Sequence, residues 1–467
     1  MFNTEILNQF SEKYALVTAD GTGHKYSDLL LHSDLMAEKI PSRYLVFCIC
    51  SNTPGSVIGY VSFLLNRSVP LLLSRDLDGD MLRSLISTYS PEFIWMPEDL
   101  MIGIKGEIVL NFLGYSLVRL SSEKRFAVHD DLAALLTTSG STGSPKLVRL
   151  TYENLSSNST SIREYLSLDE SERPITSLPM SYSFGLSIIN SHLASGSTII
   201  LTDKSLMERG FWSLVKSAKV TSLSGVPYSY EILRRLGFSK MDLPHLKTMT
   251  QAGGKLGLEI NREFAELCIE RGIRFFVMYG QTEATARMSY LPPKYSIEKL
   301  GSIGHAIPGG EFFLIDENGA AIEKSDRVGE LAYKGNNVSM GYATRGRDLI
   351  KGDENNGILF TGDLAKRDKN GFFYIEGRKN RYIKIFGNRV NLDEIEGLVR
   401  ELVTYCACTG IDDKMTIFIE QGDRVMEVRK YVSSRTRLHI SSIEVCHIEE
   451  IPKSSSGKTL YSELVSR

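Results

Sequence analysis

The sequence predicts an α/β protein with a large N-terminal domain and a small, mobile α+β lobe at the C-terminal end. Short apolar runs alternate with amphipathic stretches up to about residue 300, alternating strands with Gly-rich turns follow, and helices mixed with short strands occupy the rest. At 467 residues the chain is too long for one ordinary core. We therefore expect domains at residues 1–378 and 379–467, with a barrel-like β subdomain at about 301–378.

The first region contains buried strands, at YLVFCIC, VPLLL, EFIWM, STIIL and RFFVMYG. Helical apolar spacing occurs between them, as at residues 78–89 and 258–271. This alternation predicts parallel-type sheets covered by helices. The second region has the alternating strands EFFLID, GELAYKG and GFFYIEG, which are typical of an antiparallel piece. After Gly377 we expect a helix near Asn391, two or three strands, and a helix around residues 424–434.

Composition narrows the classes of function. Hydrophobic residues make up 42% and charged residues 24%, and the formal net charge is −2, so we expect neither a nucleic-acid nor a membrane partner. Residues 1–14 carry charges and no apolar core, which predicts a cytoplasmic protein without a signal peptide. The six cysteines include two C-x-C pairs in apolar runs, a spacing that favours buried strand thiols over a zinc site.

The strongest local motif is LLTTSGSTGSPK at residues 135–146. Glycines let a loop turn its N–H groups inward, hydroxyls add donors, and Lys146 adds positive charge, which together suit a polyphosphate. The spacing is not that of a Walker loop. A flexible Gly/Ser linker is the alternative, but a linker would not normally follow an apolar strand directly.

With this loop the chain resembles the adenylate-forming, or AMP-binding, superfamily, which includes acyl-CoA synthetases, adenylation domains of nonribosomal peptide synthetases, and luciferases. Four further motifs occur in the family's order: YGQTEAT (279–285), GELAYKGNNVSMGY with TGDL (361–364), GRKNRYIKIFGNRVNLDEIE (377–396) and PKSSSGK, ending at residue 458. The resemblance covers essentially the whole chain. It implies ATP and Mg²⁺ as cofactors, and CoA or a carrier-protein phosphopantetheine as acceptor.

The resemblance also assigns roles to residues. Glu283 would hold Mg²⁺, Thr282 would donate to the α-phosphate, and Tyr279 would stack on adenine; a surface carboxylate is the alternative for Glu283. Asp363 and Arg378 would contact the ribose. The residues implied in nucleotide binding are Thr138, Ser139, Gly140, Ser141, Thr142, Gly143, Lys146, Gly253, Gly254, Lys255, Tyr279, Gly280, Gln281, Asp363 and Arg378.

Lys458 is the main catalytic candidate. When a carboxylate attacks an α-phosphate, like charges meet and charge builds on the transferring group, so a positioned cation lowers the barrier. The family uses the lysine of this motif for that purpose. The alternative is a solvated lysine near a chain end.

The acyl pocket is less well specified. The resemblance places Tyr182, Ser183, Phe184, Gly225, Val226 and Gln251 in it. Ser183 stands where amino-acid-activating members usually carry the aspartate that binds the α-amine. This replacement weakens the hypothesis that the substrate is an α-amino acid. The hydroxyls, tyrosine and amide favour a short or hydroxylated acid, unless these groups merely satisfy one another.

We therefore expect a ligase that forms acyl-AMP and pyrophosphate and then a thioester. An amino-acid ligase that loads a carrier protein stays open, as do a nucleotide-binding regulatory protein without turnover and a luciferase-like oxygenase. The family's hinge aspartate is replaced here by Asn380, next to Lys379, and the small lobe is short; both features bear on recognition of the thiol acceptor.

Overall fold

The structure is a computed structural model that describes residues 2–100, 105–121, 124–137, 146–386, 388–453 and 459–465. Its described helices, in chain order, are α1 (Thr4–Gln9), α2 (Tyr26–Ala37), α3 (Pro54–Leu65), α4 (Gly79–Tyr89), α5 (Tyr152–Leu166), α6 (Ser183–Leu193), α7 (Arg209–Ser217), α8 (Pro227–Arg235), α9 (Leu258–Glu270), α10 (Leu392–Val399), α11 (Val425–Thr436) and α12 (Tyr461–Val465). The described strands are β1 (Tyr14–Val17), β2 (Gly23–Lys25), β3 (Leu45–Cys50), β4 (Val69–Ser74), β5 (Phe93–Pro97), β6 (Glu107–Phe112), β7 (Tyr115–Arg119), β8 (Leu132–Thr137), β9 (Leu147–Thr151), β10 (Ile199–Ile200), β11 (Ser222–Gly225), β12 (Thr248–Gln251), β13 (Arg274–Tyr279), β14 (Ser289–Leu291), β15 (His305–Ala306), β16 (Gly310–Ile315), β17 (Gly329–Gly335), β18 (Tyr342–Ala343), β19 (Ile358–Arg367), β20 (Phe373–Arg378), β21 (Tyr382–Ile385), β22 (Asn388–Asn391), β23 (Cys406–Ile411), β24 (Lys414–Ile419) and β25 (Ile443–His447).

The α/β prediction is confirmed, although the sheets are mixed rather than parallel throughout. The largest sheet has the order β18-β9-β8-β4-β3-β5-β7-β6. Strands β8, β4, β3 and β5 pair in parallel at its centre, and antiparallel strands flank them on both sides. Every residue of β3 is buried, because alternate side chains enter cores on opposite faces of the sheet. Such a continuous apolar run is the expected sequence of a strand covered on both faces.

A second sheet has the order β11-β12-β13-β14-β15, with β11, β12 and β13 parallel. A smaller sheet, β10-β1-β2, includes only Ile199 and Ile200 of the strand predicted at STIIL. The predicted barrel-like piece is an open sheet of order β16-β17-β19-β20 in the described residues, with β16 and β20 at its edges.

The chain divides into two compact units. One comprises the described residues up to Phe312 together with Tyr333–Leu359, and the other comprises Phe313–Ala332 and the described residues from Phe360 onward. The second unit contains the hairpin β21-β22 and the sheet β23-β24-β25, whose core includes side chains from α10 and α11. The helices predicted near Asn391 and around residues 424–434 are confirmed as α10 and α11.

An ion cluster joins the two ends of the C-terminal lobe. Glu396 is 4% exposed and accepts from Arg381 Nη2 (2.5 Å) and from the Tyr461 hydroxyl (3.0 Å). The Arg381 guanidinium lies 4.0 Å from the centre of the Tyr461 ring. The backbone N–H of Cys408 also donates to Glu396, at 2.8 Å. Helix α12 is therefore fastened to the start of the lobe through a buried carboxylate.

The cysteines occupy apolar surroundings, as their spacing predicted. Cys48, Cys50, Cys268, Cys406 and Cys408 are buried and Cys446 is half-buried. Burial raises the pKa of the thiols of Cys50, Cys268 and Cys406 to about 12, and raises those of the other three as well. Across the described ranges, no three His, Cys, Asp or Glu side chains are grouped to hold a metal ion. None of the described helices has the length and apolar character of a membrane span.

Candidate active site

The candidate site lies at the carboxyl ends of three neighbouring parallel strands. Gly225 of β11 is opposite Gln251 of β12, which in turn is opposite Val277 of β13. The segments that follow the three strands therefore emerge at one edge of the sheet, where open α/β folds bind their ligands. They carry many of the predicted residues, including Val226, Gly253 and Glu283. This register brings together positions that are far apart along the chain.

The Gly-Gly turn after β12 leaves a space that side chains at Gly253 and Gly254 would occupy. Gly253 has φ of +85°, and a Cβ there would lie 2.6 Å from the Tyr182 hydroxyl oxygen. Gln251 is fully buried and donates through Nε2 to the carbonyl of Gly254 at 2.9 Å. Its Oε1 has no hydrogen-bond partner in the described part of the chain. A close backbone approach beside an unpaired acceptor suits a ligand with donor groups.

The turn after β13 is held in a strained conformation. A Cβ on Gly280 would lie 1.5 Å from the carbonyl oxygen of Ala286, so only glycine fits there. Thr285 and Ala286 have φ of 58° and 102°, which is unfavourable for side chains with a Cβ. Asn337 secures the turn. Its side-chain amide donates to the Ala284 carbonyl at 2.8 Å, and its backbone carbonyl accepts from the Thr285 hydroxyl at 2.7 Å. The backbone beside Thr282 and Glu283 is thus fixed by the protein itself.

Glu283 and Thr282 each have a defined neighbour. Glu283 Oε1 accepts from the Tyr342 hydroxyl at 2.7 Å, and Lys146 Nζ lies 5.6 Å from the centre of that tyrosine ring. Burial, and then the charge of Glu283, raises the pKa of Tyr342. Thr282 Oγ1 is 3.1 Å from Ser183 Oγ at the start of α6. A single carboxylate such as that of Glu283 suits Mg²⁺, which binds one or two protein carboxylates together with phosphate oxygens.

Three of the predicted acyl-pocket residues, Tyr182, Phe184 and Val226, lie in one packed cluster. Phe184, Val226, Ala252 and Met278 are buried in it, and Tyr182 packs against it. Burial raises the pKa of Tyr182 to about 12, so its hydroxyl stays protonated near neutral pH. These five side chains carry no charge near neutral pH. Ser183, which was also predicted for the acyl pocket, contacts the hydroxyl of Thr282 through its own hydroxyl.

Three residues of this region were not singled out from the sequence. They are Asn337, Tyr342 and Arg287, which is only 2% exposed and contacts Phe184 and Met278. Asn337 and Tyr342 lie within GELAYKGNNVSMGY, a motif whose spacing alone does not indicate a function for either residue. For Arg287 the available signal was a lone cation between the YGQTEAT motif and the strand β14.

The remaining predicted nucleotide residues are distributed as follows. Tyr279 ends β13 and its hydroxyl accepts from Gln281 Nε2 at 3.2 Å, and Lys255 is exposed. In the second unit, Asp363 lies opposite Arg378 across β19 and β20, and Arg378 Nε donates to its carboxylate at 3.1 Å. Asp363 is 3% exposed, so Arg378 partly compensates a buried charge. The loop residues 138–143 and Lys458 lie outside the described residues.

Strand-end turns, the carboxylate of Glu283 and a cluster of uncharged side chains thus form the candidate site. The AMP-binding enzyme family model matches residues 85–343, and the chain belongs to that family. It is an ATP-dependent acid–thiol ligase that forms acyl-AMP and pyrophosphate, and then transfers the acyl group to a pantetheine thiol.

Comparison with individual proteins gives more distant matches. The chain is 27% identical to the 2-succinylbenzoate–CoA ligase of Geobacillus sp. (strain WCH70) over 347 residues, which cover 72% of this chain and 69% of that protein. The o-succinylbenzoate–CoA synthetase of Bacillus subtilis with its acyl-adenylate has a similar fold, with TM-score 0.79, 22% identity, and coverage of 98% and 97% of the two chains. ATP-bound MatB of Rhodopseudomonas palustris also has a similar fold, with TM-score 0.81, 21% identity, and coverage of 99% of this chain and 98% of that chain.

Proposed function

We propose that this ligase activates a carboxylic acid at the strand-end site and transfers it to free CoA. The observation that carries the site assignment is the convergence of the β11, β12 and β13 ends on Glu283, Thr282 and the Gly253 turn. The curated relatives described above are CoA ligases, which supports CoA over a carrier protein as the acceptor.

In the first half-reaction the acid's carboxylate oxygen bonds to the α-phosphorus of ATP, and the bond to pyrophosphate breaks. Thr282 donates to the α-phosphate, and Glu283 would hold Mg²⁺, whose charge would offset that of the phosphates. Lys458 stabilises charge on the transferring group, and no enzyme nucleophile is needed because positioning supplies the acceleration. Asp363 accepts from the ribose hydroxyls and Arg378 holds that carboxylate.

In the second half-reaction the thiol sulfur bonds to the acyl carbon, AMP leaves, and the thiol proton is released. We propose that residues 379–467 rotate between the two steps, with the turn at Lys379 and Asn380 as hinge. Lys379 Nζ pairs with Glu330 at 2.8 Å, within the second unit. A rotation of the lobe would have to break this surface ion pair.

The test is acid-dependent ATP–pyrophosphate exchange, followed separately by thioester formation from preformed acyl-AMP. The acid panel includes 2-succinylbenzoate, because the relatives are named for it. Lys458→Ala should lower exchange by at least about a hundredfold while ATP binding changes little. Exchange that no acid supports would overturn the ligase assignment, and near-normal exchange in the variant would remove Lys458 from catalysis. Transfer to a carrier protein but not to CoA would reverse the choice of acceptor.

A further inference from the structure

Arg287 is a buried cation with neutral surroundings. It is 2% exposed, and none of the described carboxylates lies within ion-pair distance of it. Its Nε donates to the Ser187 hydroxyl at 3.0 Å and its Nη1 to the Tyr165 hydroxyl at 3.1 Å. The guanidinium also lies 5.1 Å from the centre of the Phe184 ring. Hydroxyls and a ring face stabilise a guanidinium but do not neutralise it.

Arg149, the other arginine among the largest fully buried side chains, differs from Arg287 in having a carboxylate partner. Arg149 has no exposed side-chain surface, and it pairs with Glu354 at 2.6 Å and donates to backbone carbonyls of residues 340 and 352. That arginine is a structural tie with its charge matched by the protein. Arg287 has the same burial without the matching carboxylate, so an arginine at this position is not explained by packing alone.

The position of Arg287 connects it to the acyl side of the site. Phe184 and Met278, which it contacts, belong to the cluster that also contains Val226 and Ala252 at the strand ends. Arg287 uses Nε and Nη1 for its hydrogen bonds, and no described residue accepts from Nη2. One edge of the guanidinium is therefore left for a ligand, beside Phe184 and Met278 of that cluster.

We propose that Arg287 binds a second anionic group on the acid substrate, so that the preferred substrates are dicarboxylates or acids with an equivalent terminal anion. This inference rests on the proposed function, since it takes the cluster as the acyl pocket. A guanidinium presents paired N–H donors that match a carboxylate, and burial strengthens that contact. The same charge disfavours a substrate ammonium, which agrees with Ser183 replacing the aspartate expected in amino-acid-activating relatives.

The experiment compares acids of equal length that differ only in terminal charge. At each of several chain lengths, exchange is measured with the dicarboxylate, the methyl-ended acid and the ω-amino acid, for example adipate, hexanoate and aminohexanoate. Wild-type enzyme should favour the dicarboxylate over the methyl-ended acid by about a hundredfold in kcat/KM at the best length, the scale for a buried charge pair. The ω-amino acid should be the poorest of the three.

Two variants separate charge recognition from folding. Arg287→Met removes the charge at similar length and should reduce the dicarboxylate preference at least about tenfold, whereas Arg287→Lys keeps a charge and should retain part of it. ATP binding by calorimetry and thermal unfolding report whether each variant is folded; if Arg287→Met is not, the wild-type and Arg287→Lys preferences decide. A wild type that favours methyl-ended acids, or an equal loss on both acids in a folded Arg287→Met, would overturn the inference while the ligase assignment stands. If no acid supports exchange, the ligase assignment fails and this inference fails with it.

Discussion

Removing one hydroxyl from the C-terminal helix should loosen the lobe that carries Lys458. Tyr461→Phe keeps the ring over Arg381 but deletes the donor that lies 3.0 Å from one oxygen of Glu396 and 3.2 Å from the other. Glu396 is 4% exposed, so the lost bond is to a buried charge and should cost about 1.5–3 kcal/mol. That cost corresponds to a change of about ten- to a hundredfold in the opening equilibrium of the lobe.

Hydrogen exchange measures this opening directly. The Cys408 amide donates to Glu396 at 2.8 Å, so peptides that cover β23 should lose protection by that factor. The matched control is Tyr431→Phe, because Tyr431 also donates to a glutamate, Glu401, but at an exposed site where such contacts contribute about 0–1 kcal/mol. Equal loss of protection in the two variants, or none in Tyr461→Phe, would show that the buried cluster does not hold the helix.

Three further predictions concern the large unit. Glu283→Gln should raise the Mg²⁺ concentration needed for half-maximal exchange, because a hard cation prefers the charge; an unchanged titration would mean a structural carboxylate. Ser183→Ala should lower exchange by about three- to tenfold through loss of the 3.1 Å contact to Thr282, and unaltered exchange would argue against that contact. Burial lowers the pKa of His192 from 6.5 to about 4, so protonation of this imidazole should cost the folded protein about 3 kcal/mol of stability. This loss should develop as pH falls from about 6.5 to 4, because the unfolded chain takes up the proton first, so urea unfolding of His192→Leu should show a correspondingly shallower pH dependence.

Sequence reasoning was most successful where a pattern is local. The helix predicted at residues 258–271 is α9 (Leu258–Glu270), and the strand GELAYKG is β17 (Gly329–Gly335) in full. Both follow from apolar periodicity over neighbouring residues. The antiparallel flanks of the large sheet and the open edges of the β16-β17-β19-β20 sheet depend on pairing between distant segments, which periodicity does not encode.

The same distinction applies to the site. Thr282 and Glu283 lie in a contiguous motif, and the structure gives each a defined neighbour. The surroundings of Arg287 come from α5 and α6, more than a hundred positions earlier in the case of Tyr165, so its unmatched charge became evident only in three dimensions. The hydroxyl of Ser183 likewise finds Thr282 from 99 positions away.

The buried cysteines have a chemical consequence for an enzyme that makes a reactive acyl donor. An acyl-adenylate reacts with any accessible thiolate, and the intended acceptor is itself a thiol. Burial keeps Cys48, Cys50, Cys268, Cys406 and Cys408 protonated and away from solvent near neutral pH, and raises the pKa of the half-buried Cys446 as well. Since the thiolate is the nucleophile, the chain's own thiols are poor sites for self-acylation. They therefore compete weakly with the substrate thiol for an adenylate that escapes the pocket.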